Sequence, residues 1–194
     1  CINVDGQLAS ELIIGAVGQE NWEVEIKGKA SHAGVAPDRG ISATLVGALG
    51  LAEAKRTGWF GKVVKGDEFG TSNIGIFGGK NGKPAGDATN VVTDYAFLKG
   101  EARSPELSFA TKIVDGYEAA FAKAKAEVTD HEGETAEVTF RRAAAYPPFK
   151  LADDAKVVKR ATKALELLGI KPTYLFSNGG LDANWLDRAG IPTI

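Results

Sequence analysis

The chain has only two histidines in 194 residues, and one of them, His32, sits where an imidazole could be offered to a ligand. It lies in Gly28-Lys29-Ala30-Ser31-His32-Ala33-Gly34, whose small residues leave the ring little bulk to hide under. Pro37 stiffens the turn that follows, and Gly34 and Gly40 accept backbone angles that other residues avoid. An imidazole on such a loop can donate a hydrogen bond or exchange a proton near neutral pH. It can equally be a turn histidine bonded to its own loop. Three other places carry comparable groups. Asp5, before Gly6, can project a carboxylate from a sheet edge or merely serve an Asp-Gly turn. Arg103 closes the stretch that begins at Asn90, where its guanidinium could clamp a carboxylate through paired hydrogen bonds or pair with Glu101 or Glu106. Gly179 and Gly180 precede a helical run and could offer backbone amides to an anion or a developing oxyanion, or form an ordinary turn with Asp182 near the helix start. His131, in a charged turn, reads as a solvated surface residue.

Positioning these groups requires defined elements. Trp22, Val24 and Ile26 alternate with Glu23, Glu25 and Lys27, which predicts a half-buried strand over 21–28. Ile41, Leu45, Ala48, Leu49 and Ala52 fall at helical spacing through about 55, and Gly58 supplies a stop. Residues 59–70 read as irregular. Strands are expected over 71–77 and 90–99, the second apolar on both faces. Ser104-Pro105 has the form of an N-cap with proline at the first helical position. The stripe Leu107, Ala110, Val114, Tyr117, Phe121, Ala124 and Val128 then marks a long helix. A further strand is expected over 134–142. The order β–α–β–β–α–β over 21–142 is that of a ferredoxin-like sandwich, with two helices on one face of an antiparallel sheet. Residues 143–149, with Tyr146-Pro147-Pro148, read as a linker. Beyond it come a helix capped by Asp153 or Asp154, a strand over 172–176, a helix over 181–189 and the start of a strand at 191. The chain is therefore α+β, with one domain inserted in another that is incomplete. Residues 1–16 are the only local partner for that second sheet.

Composition narrows the function classes. A formal charge of −2 and the lack of a basic cluster argue against nucleic acid as a partner. The single cysteine, Cys1, excludes an internal disulfide framework and suits a reducing, cytoplasmic setting. No apolar run approaches the ~18 residues that would span a bilayer, so no membrane partner is expected. With no methionine, not even at position 1, the chain reads as a fragment or a processed form. No HExxH, paired cysteines or Walker loop appears.

Four stretches together go further. They are Asn3-Val4-Asp5-Gly6, the His32 run with Pro37 and Gly40-Ile41-Ser42-Ala43, Thr89-Asn90-Val91-Val92 leading to Gly100-Glu101-Ala102-Arg103, and Gly179-Gly180-Leu181-Asp182-Ala183-Asn184 with Gly190-Ile191-Pro192. In this order they resemble the zinc metallopeptidase superfamily of peptidase T, aminoacylase and succinyl-diaminopimelate desuccinylase, and peptidase T-like tripeptidases most of all. The resemblance implies a ferredoxin-like lid and dimerisation domain over 21–142, inserted between catalytic-domain segments at 1–20 and 143–194. It implies that Asp5 ligates one of two zinc ions and that His32 reaches a partner subunit's active site to bind substrate or its tetrahedral intermediate. Asn90 and Arg103 would hold the substrate backbone and terminal carboxylate, with Gly179 and Gly180 bordering the pocket. The implied activity is hydrolysis of short peptides by a homodimer. The alternatives are an N-acyl amino acid amidohydrolase or deacylase of the same superfamily, or a purely dimerising module. The superfamily's other metal ligands and its general-base glutamate have no counterpart here, so the chain alone is expected to be inactive and to hold little or no zinc.

Overall fold

The computed structural model describes residues 1–3 and 8–194. It begins with β1 (Glu11–Ala16), whose C-terminal half is buried. After Val17 the chain enters β2 (Gly18–Lys27), a ten-residue strand whose alternation sends Trp22, Val24 and Ile26 into the core. The His32 loop leads to α1 (Ala43–Arg56), where the Ser42 hydroxyl accepts the Leu45 N–H as an N-cap. Next come a hairpin of β3 (Gly61–Lys65) and β4 (Glu68–Gly78), then β5 (Tyr95–Ser104), α2 (Leu107–Glu127) and β6 (Glu137–Tyr146). The remainder is β7 (Phe149–Lys150), α3 (Lys156–Leu167), β8 (Thr173–Ser177) and α4 (Asp182–Arg188).

The strands form two sheets. The larger is antiparallel, in the order β3-β4-β5-β2-β6. Helices α1 and α2 pack together across one face, over Trp22, Leu98, Phe109, Tyr117 and Phe121. Trp22 lies between the Tyr117 ring at 4.6 Å and the stacked Phe140 ring at 5.6 Å. Truncating so buried an aromatic would cost about 3–5 kcal/mol. Without β3, this is the ferredoxin-like order the sequence implies. The smaller sheet runs β7-β1-β8, with β8 parallel to β1. It has its own core, including Ile14, Phe149, Leu151, Val158 and Ala183. The chain ends meet: Ile194 N–H donates to the Cys1 carbonyl at 3.2 Å, and Asn3 N–H to the Ile194 carbonyl at 2.7 Å.

Several sequence expectations change. Residues 59–70 are not irregular but hold β3 and the start of β4, making five strands rather than four. Glycines at both ends of β3, Gly61 (φ 82°) and Gly66 (φ 61°), hid a short strand in which Val63 is the buried apolar side chain. Residues 90–94 are loop, and the strand runs on through Glu101 and Arg103, whose charges face away from the helices. Ser104 is not the helix cap; its hydroxyl accepts the Glu106 N–H at 3.1 Å, and the helix starts at Leu107. Residues 143–146 complete β6 instead of forming a linker. Helix α3 begins at Lys156 after Ala155, with no side-chain cap from Asp153 or Asp154.

Candidate functional site

At the end of β2, the chain turns through a loop closed at its base by Lys29 and Ile41, which exchange backbone bonds of 3.0 and 2.9 Å. A Cβ at position 28 would run into the Ile41 carbonyl oxygen, so only glycine lets the base close. His32 is exposed at the tip. Its Nδ1 accepts the Gly34 N–H at 3.2 Å. A nitrogen that accepts carries no proton in the neutral ring, so Nε2 bears the N–H and is the donor available to a ligand. The residues 90–92 lie alongside: Ala33 N–H donates to the Asn90 carbonyl at 2.8 Å, and Val92 N–H to the Ser31 carbonyl at 2.9 Å. His32 and Asn90 are thus neighbours, both exposed, on one two-stranded arm.

Arg103 lies elsewhere. Its Nε and Nη2 donate to the two carboxylate oxygens of Glu101, at 2.8 and 3.0 Å. That carboxylate raises the guanidinium above its ordinary value. Opposite Arg103 in the sheet stands Gln19, which accepts the Tyr146 hydroxyl at 2.8 Å and donates to Asn21 at 2.7 Å. Burial pushes the Tyr146 phenol up. Gly180 packs on that phenol so closely that a Cβ would overlap the ring. Gly179 N–H is taken by the Ser177 hydroxyl at 3.1 Å, so one of the two amides considered for an anion is already engaged. Arg103, Gly179 and Gly180 therefore gather around Tyr146, where the two sheets join.

The two groups occupy opposite ends of β2. Gln19 pairs with Arg103 and Lys27 with Tyr95, which puts them about 27 Å apart along the strand at roughly 3.4 Å per residue. Asp5 lies outside the described residues. Among the described residues, the carboxylates and imidazoles that come together in a group of three are Asp130, Glu132 and Glu134, within 4.8 Å of one another. The Lys29 ammonium already sits against two of them. These donors do not fit a pair of zinc ions. A cleft of about 510 Å³ between the sheets, lined by Phe69, Glu106, Phe149, Lys150, Tyr174 and Phe176 among others, contains none of His32, Asn90, Arg103, Gly179 and Gly180.

Sequence reasoning missed three contributors. Tyr146 lies in the stretch whose composition reads as a linker. Asn184 appeared only as part of a motif, yet it is wholly buried and its Nδ2 donates to the carbonyls of Val17 and Pro147 at 3.1 and 2.7 Å. The pairing of Lys29 with Asp130 spans 101 positions and has no local signal.

Residues 14–129 match the peptidase dimerisation domain model of the M20 family. The chain belongs to the M20 peptidase family. The protein YqjE from Bacillus subtilis (strain 168) is 35% identical over 193 residues, covering 100% of this chain and 47% of its own length. The aminopeptidase PepT from Bacillus cereus ATCC 10987 superposes with a TM-score of 0.80 at 33% identity, over 99% of this chain and 46% of that one. A tripeptidase from Staphylococcus aureus subsp. aureus Mu50 gives 0.81 at 30% identity, over 99% and 46%. The chain spans about half the length of these relatives. The match over residues 14–129 takes in β2 to β5 and both helices of the larger sheet. Among the described residues, no helix is long and apolar enough to cross a membrane.

Proposed function

We propose that this chain is the lid, with part of the catalytic domain, of a dimeric zinc-dependent exopeptidase that hydrolyses short peptides in the cytoplasm. Residues 21–142, extended to 18–146 by the ends of β2 and β6, form the lid, and the segments on either side of it belong to the catalytic domain. The observation that carries the proposal is the separation of the two groups along β2. An extended tripeptide reaches about 10 Å, so it cannot touch the His32–Asn90 arm and Arg103 of one subunit together. A twofold-related copy supplies the other group. In that site the Arg103 guanidinium holds the terminal carboxylate. The Nε2–H of the partner's His32 donates to the oxygen where negative charge develops, and the partner's Asn90 steadies the substrate backbone. Asp5 contributes one zinc ligand, and the others come from outside this chain.

The second copy docks on the free edge of β4. Strand β3 pairs with β4 only as far as Ser72, leaving 73–78 without a strand partner on that side among the described residues. Phe77 (47% exposed) lies along that edge against Gly47 of α1, and Ile76 (44%) faces the other side of the sheet.

Subunit mixing in the complete enzyme tests this. His32→Ala and Arg103→Ala homodimers should each lose most tripeptide turnover. An equal mixture, after exchange, should recover about a quarter of wild-type turnover, because half the dimers then carry one intact site out of two. No recovery on mixing would refute a shared site.

A further inference from the structure

We infer that Asp130 is a positioning residue for the His32 arm: from the turn between α2 and β6 it grips Lys29 and holds the imidazole-bearing loop from behind. The inference rests on the reading of His32 as a substrate contact. The Asp130 side chain is 0% exposed, a costly place for a carboxylate unless its oxygens are fully engaged. Here they are. One oxygen accepts the N–H groups of Glu132 and Glu134 at 3.0 and 2.9 Å. The other takes the Lys29 ammonium at 2.8 Å, and Lys29 also reaches Glu134 at 3.2 Å. Two backbone N–H bonds fix the carboxylate to its own turn, so the ion pair joins a rigid turn to the loop.

The same turn makes a second contact. His131 N–H donates to the Asp38 carbonyl at 2.8 Å, within the single helical turn Pro37–Arg39 that follows His32. The arm is therefore held on both legs, at Lys29 before the imidazole and at Asp38 after it. Its front is held by residues 90–92 through two backbone bonds, Ala33 to Asn90 and Val92 to Ser31, of the kind that open locally. None of Lys29, Asp38 or Asp130 belongs to the apolar cluster beneath the sheet. Losing the clamp should free the arm without opening the core.

Amide hydrogen exchange and imidazole nitrogen NMR on the 194-residue chain test this, comparing wild type with Asp130→Asn and Lys29→Met. Ala33, Val92 and His131 amides should exchange about tenfold faster in both variants, while the amides pairing β2 with β5 stay within about twofold. The fraction of His32 carrying its proton on Nε2 should fall in both. Lys29→Arg should keep wild-type exchange. If arm and core amides speed up by the same factor, Asp130 is a general stabiliser and the inference fails; unchanged arm exchange also overturns it. Should Asp130→Asn not fold, Lys29→Met removes the ion pair alone, leaves the two backbone bonds in place, and carries the same expectation. Because these readouts need no turnover, they separate the clamp from the catalytic reading. Unimpaired turnover in His32→Ala beside a freed arm in Asp130→Asn would end the substrate role and leave the clamp standing.

Discussion

Asp130 illustrates how one side chain's surroundings set both its charge and its pH response. The Lys29 ammonium, helped by the N–H groups of Glu132 and Glu134, holds its carboxyl down at about 2, against an ordinary 3.8. Glu53 is likewise lowered to about 2, chiefly by Arg56, whose Nε and Nη2 donate to it at 2.7 and 2.6 Å, and further by Lys123. A carboxyl whose folded value lies below its unfolded one binds more protons when unfolded. Its stabilisation is therefore complete above the unfolded value and disappears as pH falls through the folded one. Thermal melts should accordingly show the midpoint falling between about pH 4 and pH 2. Asp130→Asn should have a lower midpoint at pH 7 and a shallower fall across that window. An acid limb identical in slope to wild type would show that the Lys29 pair contributes nothing. Arg103 shows a different lesson at the same scale. Its fork is occupied by Glu101, so in the proposed role a substrate carboxylate would share the guanidinium through its remaining N–H groups or displace Glu101.

At the scale of elements, what the sequence revealed was what local patterning controls. Alternation from Trp22 to Lys27 and the long stripe from Leu107 to Ala124 marked β2 and α2, because burial of one face repeats at the period of the element. The ferredoxin-like order followed from their succession. Strand β3 escaped because it offers one buried side chain, Val63, between two glycines with positive φ. The end of β6 escaped because Ala143, Ala144 and Ala145 carry no alternation, and their strand state comes from pairing with β2. The candidate site was legible as residue types at motif positions. Its division between the two ends of β2 was not, since that depends on the Gln19–Arg103 register. The free edge of β4 carries its own prediction. Replacing Phe77 with lysine puts a charge on this edge beside α1, which edge strands use to refuse a partner. Sedimentation should then give a monomer where the proposed wild-type dimer forms, and the melting midpoint should stop depending on protein concentration. A dimer that survives Phe77→Lys would move the interface elsewhere.

For the whole molecule, the decisive feature is the passage between the two sheets. The chain crosses twice, at Val17 on the way out and at Pro147 on the way back, and Asn184 of α4 donates one amide group to the carbonyls of both. Its Oδ1 accepts the Leu181 N–H at 2.8 Å, so every polar atom of the carboxamide is used within a wholly buried site. Beside this clip, Gly180 lies on the Tyr146 phenol and Tyr146 bonds Gln19, which faces Arg103. The orientation of the lid and the setting of the Arg103 group are thus fixed by one constellation. Asn184→Ala removes both donors, leaves two crossing carbonyls unpaired, and should cost about 1–3 kcal/mol. Asn184→Asp is the sharper test. It keeps the shape and the bond from Leu181, but a carboxylate cannot donate and would set an anion against the two carbonyl oxygens it replaced a donor for. Asp should therefore be worse than Ala at pH 7, with the order narrowing or reversing at low pH, where the protonated acid regains one donor. Melts of both variants at the two pH values decide it, and an Asp variant as stable as wild type at pH 7 would mean that the crossings are not held by this amide.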